Sequence, residues 1–117
     1  MKPKMPDSEN TAKPSDPDAF GLLPRDTETL RDIFRRYPDI ETVVIFGSRA
    51  KGNHKPGSDI DCAIMNTGLD PATVRRAHSD CEQSSLPYCV DLLDYHAITH
   101  PELRAHIDRV GRLFYRK

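Results

Sequence analysis

Five residues, Thr42-Val43-Val44-Ile45-Phe46, leave little freedom to the chain around them. Four are β-branched, and the run is apolar without interruption after Thr42. Such side chains are stiff at χ1 and suit a pleated, buried surface. A strand that is apolar on both faces belongs in the middle of a sheet. The spacing around it predicts the rest. Leu30, Ile33, Phe34 and Tyr37 recur at helical intervals, with Asp26 or Thr27 as the expected cap and Pro38 as the stop. Asp59 to Met65 alternates, with Ile60, Cys62 and Ile64 on one face, and reads as a second strand.

Asp70-Pro71 is a cap followed by an N1 proline, and opens a helix predicted to reach about Ser85, with Val74, Ala77 and Cys81 as its weak stripe. Tyr88 to Tyr95 reads as a third strand, with Val90 and Leu92 on one face and Asp91 and Leu93 on the other. Thr99-x-x-Glu102 has the form of a capping box. Leu103, Ile107 and Val110 form the last helical stripe, closed by Gly111. Leu113-Phe114-Tyr115 then reads as a short edge strand or a docking tail. The expected fold class is α/β: a small mixed β-sheet with flanking helices, packed mainly on one face.

A chain of 117 residues is enough for one domain. Five of its ten prolines fall at Pro3, Pro6, Pro14, Pro17 and Pro24, among Lys, Asp, Ser, Asn and Thr. That composition buries too little apolar surface to offset ordering entropy. Residues 1–24 are therefore expected to be a flexible tail whose removal the domain tolerates, and residues 25–117 the domain. No apolar run is long enough to span a membrane. Met1-Lys2-Pro3-Lys4 does not lead into an apolar stretch, so a secretory signal is not expected and the predicted location is cytoplasmic. Lys and Arg total 17 against 18 Asp and Glu, a formal net charge of −1, which argues against direct nucleic-acid binding. Cys62, Cys81 and Cys89 form no C-x-x-C pair and read as reduced thiols. His96 and His100 are four apart, but Pro101 and the expected helix start at Thr99 separate them, so they do not read as a metal pair.

The chemistry lies in three strand-end signals. Side chains at i and i+2 of a strand share a face, so Asp59 and Asp61 project together. Close carboxylates repel unless a positive charge sits between them. Hard cations such as Mg²⁺ supply that charge through oxygen ligands. Asp91, from another strand, would complete a site for two metals. Asp94, on the opposite face of that strand, ranks second. Gly47-Ser48-Arg49-Ala50-Lys51-Gly52 suits phosphate. Glycine permits close approach, the serine hydroxyl donates, and Arg49 and Lys51 add charge. Asn53-His54 stands where a Walker A loop has Lys followed by Ser or Thr, so this is not that motif. His54 and Lys55 lie in the loop that follows.

Gly47-Ser48, a loop, Asp59-x-Asp61, and then Asp91 within Val90-Asp91-Leu92-Leu93-Asp94 together resemble the nucleotidyltransferase superfamily that includes DNA polymerase beta. The spacing is similar to that of its minimal branch, the MNT proteins, over residues 27–115. The resemblance implies a polymerase beta-like catalytic core in which Asp59, Asp61 and Asp91 hold Mg²⁺, as two ions, and act as the catalytic carboxylates. It also implies that Gly47 and Ser48, with Arg49 and Lys51, hold the phosphates of ATP. MNT proteins pair with α-helical HEPN ribonucleases as toxin–antitoxin modules. By resemblance, AMP would pass from ATP to a hydroxyl, a tyrosine, of the HEPN partner in a hetero-oligomer. Two rivals remain: an antitoxin that neutralises the HEPN protein by binding alone, and a two-subunit transferase acting on a small molecule such as an aminoglycoside.

Overall fold

The computed structural model describes residues 20–55 and 57–117. Helix α1 spans Pro24–Arg35 and strand β1 spans Thr42–Phe46. A single helical turn, α2, covers Ser48–Lys51, and β2 covers Ile60–Ile64. Helix α3 runs Pro71–Glu82, β3 Val90–Asp94, α4 Pro101–Val110 and β4 Arg112–Arg116. The four strands form one sheet in the order β3-β2-β1-β4. β1 pairs antiparallel with both β2 and β4, while β2 and β3 are parallel. The sheet is mixed because α3 supplies the crossover that parallel neighbours need. β1 lies inside the sheet, as its apolar run predicted, and the 113–115 segment is part of an edge strand.

Both sheet faces are covered. Val43, Ile45, Ile60, Cys62, Ile64, Val90 and Leu92 meet the stripes of α1 (Leu30, Ile33, Phe34) and α3 (Ala77, Cys81) in one core. Burying each large side chain there stabilises the fold by about 1.5–3 kcal/mol. The expectation that helices would lie mainly on one face holds for α1 and α3, and α4 takes the other. Ile107 of α4 packs with Phe46 and Ala63 on the opposite face, joined by Val44, Leu93, Leu103 and Val110. Alternation along β1 therefore serves two cores, which is why that strand has no polar face.

Several boundaries move. α1 starts at Pro24, not at Asp26 or Thr27. Proline is pre-set for the first helical position, where no N–H is needed, and the Leu23 carbonyl accepts from Asp26 N and Thr27 N. α3 stops at Glu82, short of Ser85, because Ser84 turns its hydroxyl back onto the Cys81 carbonyl at 2.6 Å. α4 is capped not by Thr99 but by His100, whose Nδ1 accepts from Leu103 N. The expected tail boundary also shifts. Residues 1–19 lie outside the described residues, but Phe20 and Leu22, assigned to the tail, sit in the main core, Leu22 with no exposed surface.

Candidate active site

The carboxylates gather at one end of β2 and β3. Parallel pairing sets Asp61 directly beside Asp91. Both follow the same alternation, so both face away from the main core, on the side where Phe46 and Ala63 lie. Asp59 is exposed and just precedes β2, which begins at Ile60; the expected strand start at Asp59 is therefore one residue early. Asp59 nonetheless acts on Asp61. Partial burial, the Asp91 carboxylate and Asp59 together push the Asp61 pKa from 3.8 up to about 6. Burial and the two neighbouring carboxylates act in the same direction, each disfavouring a negative charge on Asp61.

Gly47 closes the other side. Its φ of 76° and ψ of −154° belong to a region that essentially only glycine adopts. A Cβ on Gly47 would overlap the Asp61 Oδ2. Ser48 opens α2, and Gly52 ends that turn with φ 81°. The Gly47 backbone and the Asp61 carboxylate are thus neighbours, which brings the glycine-serine turn to the end of β2. Lys51 ends α2 exposed, and Lys55 is exposed in the loop beyond.

Arg49 is not where the spacing placed it. It is 2% exposed, and its guanidinium donates to the Ser58 and Phe20 carbonyls and not to an open phosphate site. Asp94 is likewise engaged locally, since its carboxylate accepts from His96 N and caps the 3₁₀ turn Tyr95–Ala97. His96 Nε2 meets the Met65 carbonyl at 2.8 Å. His54 lies against Gly21, where a Cβ would strike its ring, and borders a separate cavity with Arg49, Lys55 and Tyr88. A cleft of about 600 Å³ runs past Asp59 and Asp91 and is bordered by His78, Glu82, Tyr88 and Cys89. Nothing in the sequence spacing pointed to Tyr88 or His78, because α3 and the segment before β3 meet only through the fold.

The donor set suits a hard divalent cation: carboxylate oxygens, with Asp61 and Asp91 side by side. Among the described residues no three His, Cys, Asp or Glu side chains form a ready-made cage. The site is a convergent set of carboxylates, not a closed metal cluster.

Residues 28–117 match the family described as polymerase beta, nucleotidyltransferase. The match takes in most of the chain, both carboxylate strands and the glycine-serine turn, and the chain belongs to this family. It is 43% identical over 70 residues to the probable protein adenylyltransferase MntA of Haemophilus influenzae. That alignment covers 59% of this chain and 60% of the relative, so the chain spans about three fifths of the length of the curated protein it matches. Its fold is similar to that in a crystal structure of a toxin–antitoxin with AMP-PNP. There the TM-score is 0.63 at 22% identity, over 78% of this chain and 73% of that one. It is also similar to a structure of a tri-AMPylated Shewanella oneidensis HEPN toxin in complex with MNT antitoxin. There the TM-score is 0.59 at 19% identity, over 80% and 71% of the two chains. At these identities the likeness is one of fold. Among the described residues no helix is long and apolar enough to cross a membrane.

Proposed function

We propose that this protein is a Mg²⁺-dependent nucleotidyltransferase of the cytoplasm that moves AMP from ATP to a hydroxyl, a tyrosine, of a HEPN ribonuclease partner and thereby silences it. The observation that carries this reading is the pairing of Asp61 with Asp91, with Asp59 two residues before Asp61, at the place where Asp61 meets the Gly47 backbone inside the family's fold. The 43% identity to a probable protein adenylyltransferase supports the protein acceptor. The resemblance to MNT proteins, and the fold shared with toxin–antitoxin structures, support the HEPN partner.

Asp59, Asp61 and Asp91 would hold Mg²⁺, which when bound offsets triphosphate charge and lowers the pKa of a coordinated hydroxyl. The chain's own residues do the rest. Gly47 lets the backbone approach a phosphate closely, and Ser48 donates a hydrogen bond to it. Lys51, exposed at the end of α2, adds charge near the pyrophosphate that leaves. Asp91, exposed at the edge of the sheet, is best placed to take the proton of the attacking hydroxyl. Most of the acceleration comes from position and electrostatics.

The test mixes the protein with its HEPN partner, ATP and Mg²⁺ and weighs the partner by intact mass spectrometry. One or more AMP increments are expected. Asp59→Asn with Asp61→Asn should abolish them, and Ser48→Ala should reduce the rate by the loss of one charged hydrogen bond, about 1.5–3 kcal/mol. A partner that gains no mass yet loses its ribonuclease activity stoichiometrically would replace transfer with inhibition by binding.

A further inference from the structure

Arg49 is the buried cation among the described residues, and the partners of its guanidinium belong to the frame of the site. Its Nε and Nη2 donate to the Ser58 carbonyl at 3.1 and 2.8 Å, one residue before Asp59. Its Nη1 donates to the Phe20 carbonyl at 2.8 Å, in the segment that precedes α1. The guanidinium carbon lies 4.7 Å from the centre of the Tyr88 ring, three residues before Asp91. Arg49 itself stands one residue after Ser48. Four stretches of chain thus meet on one side chain: the glycine-serine turn, the approach to Asp59, the approach to Asp91, and the N-terminal segment through Phe20.

The chemistry favours arginine as such a clamp and disfavours it as a free phosphate ligand. A buried charge is costly unless its hydrogen bonds are met. Two backbone carbonyls accept them here, and the face of the Tyr88 ring lies against the cation. The planar fork reaches two carbonyls in fixed directions while its face stacks on a ring, a geometry lysine cannot copy. A second link ties the same two approaches together, because Ile60 N donates to the Cys89 carbonyl at 2.9 Å.

We propose that Arg49 is a positioning residue: it fixes the distances of Asp59 and Asp91 from the Gly47-Ser48 turn, and makes the Phe20–Leu22 segment part of the active-site frame. The catalytic half of this statement rests on the transferase reading above; the mechanical half does not.

The experiment compares the full chain with Arg49→Lys and Arg49→Met by three measurements: hydrogen exchange, calorimetric ATP binding in Mg²⁺, and turnover with the HEPN partner. The expected result is faster amide exchange in three separated segments, at residues 20–23, 58–61 and 88–91. Turnover should fall about 100-fold, the loss that a misplacement of roughly 1 Å brings. ATP affinity should change by no more than about threefold, and lysine should not rescue although it keeps the charge. A phosphate ligand would behave differently: ATP binding weakened about tenfold or more, substantial rescue by lysine, and unchanged exchange in residues 20–23 and 88–91. That pattern overturns the proposal, as does wild-type exchange together with wild-type turnover. Should both variants fail to fold, Tyr88→Leu removes the stacking partner alone. It should loosen residues 49–52 and 58–61 as well as its own segment, and exchange confined to its own segment would refute the clamp. If the wild type transfers no nucleotide, the transferase reading falls while the exchange pattern still decides what Arg49 does.

Discussion

The Asp61 carboxylate occupies the space that a side chain on Gly47 would need: a Cβ there would overlap Oδ2. The two residues meet where β1 and β2 lie side by side, with Phe46 paired to Asp61. The end of β1 is therefore shaped around a carboxylate from β2. Gly47→Ala must both strain a backbone that glycine alone adopts and turn the Asp61 carboxylate away. Strain of this kind costs about 1–3 kcal/mol. The expected outcome is a folded protein with a modestly lowered Tm and nucleotide transfer reduced far more than stability, read by thermal denaturation and by AMP incorporation. Unchanged transfer would show that the position of Asp61 does not matter.

Asp61 also gives a pH signature. Its folded pKa of about 6 lies above the 3.8 of an ordinary carboxyl, so the folded state holds the proton more tightly than the unfolded chain. Metal-free stability from this group is fully present below about pH 4. It is lost as pH rises through about 6 and is flat above that. Discounted for the partial exposure of Asp61, the change is about 1–2 kcal/mol. Melting curves in EDTA between pH 4 and 7 should converge for wild type and Asp61→Asn at low pH and separate at high pH, with the variant the more stable. Parallel curves would contradict the crowding of carboxylates. Added Mg²⁺ should raise Tm more at pH 7 than at pH 5, because protons and metal compete for the same oxygens.

Leu22 has no exposed surface and packs in the main core with Phe20. Leu22→Ala should cost about 2–5 kcal/mol, the usual range for a buried leucine. Deleting residues 1–24 should cost at least as much, since it removes both apolar side chains and the Phe20 carbonyl that Arg49 holds. Urea denaturation of the two variants beside wild type checks this, and an unchanged midpoint after the deletion would restore the expected tail boundary.

The thiols should react unequally. Cys62 is fully buried, and burial pushes its pKa well up; burial pushes Cys81 up to about 11. Cys89 is exposed. Thiolate is the reactive form. Native protein treated with a maleimide at pH 7 should take up one adduct, on Cys89, and three after denaturation, counted by mass. Fast labelling of Cys81 would show that α3 leaves the sheet readily.

What the chain carries locally could be read without a structure. The β1 run, the α1 and α3 stripes and the alternation around Asp91 depend on periods of a few residues, and each element appears where its period predicted it. The side of the sheet that Asp61 takes was legible for the same reason, whereas Asp59 falls just outside β2. Caps and ends were less so: proline replaced Asp26 as the signal that starts α1, and a serine hydroxyl stopped α3 early. The register that sets Asp61 beside Asp91, the burial of Phe20 and Leu22, and the turning of Arg49 inward were decided only by the tertiary structure. Arg49 shows why. Its side chain has no period, and its donors go to whichever carbonyls the fold brings near, here one 9 residues away and one 29 residues away. Hydrophobic spacing is a property of neighbours in sequence, whereas satisfying a buried charge is a property of neighbours in space.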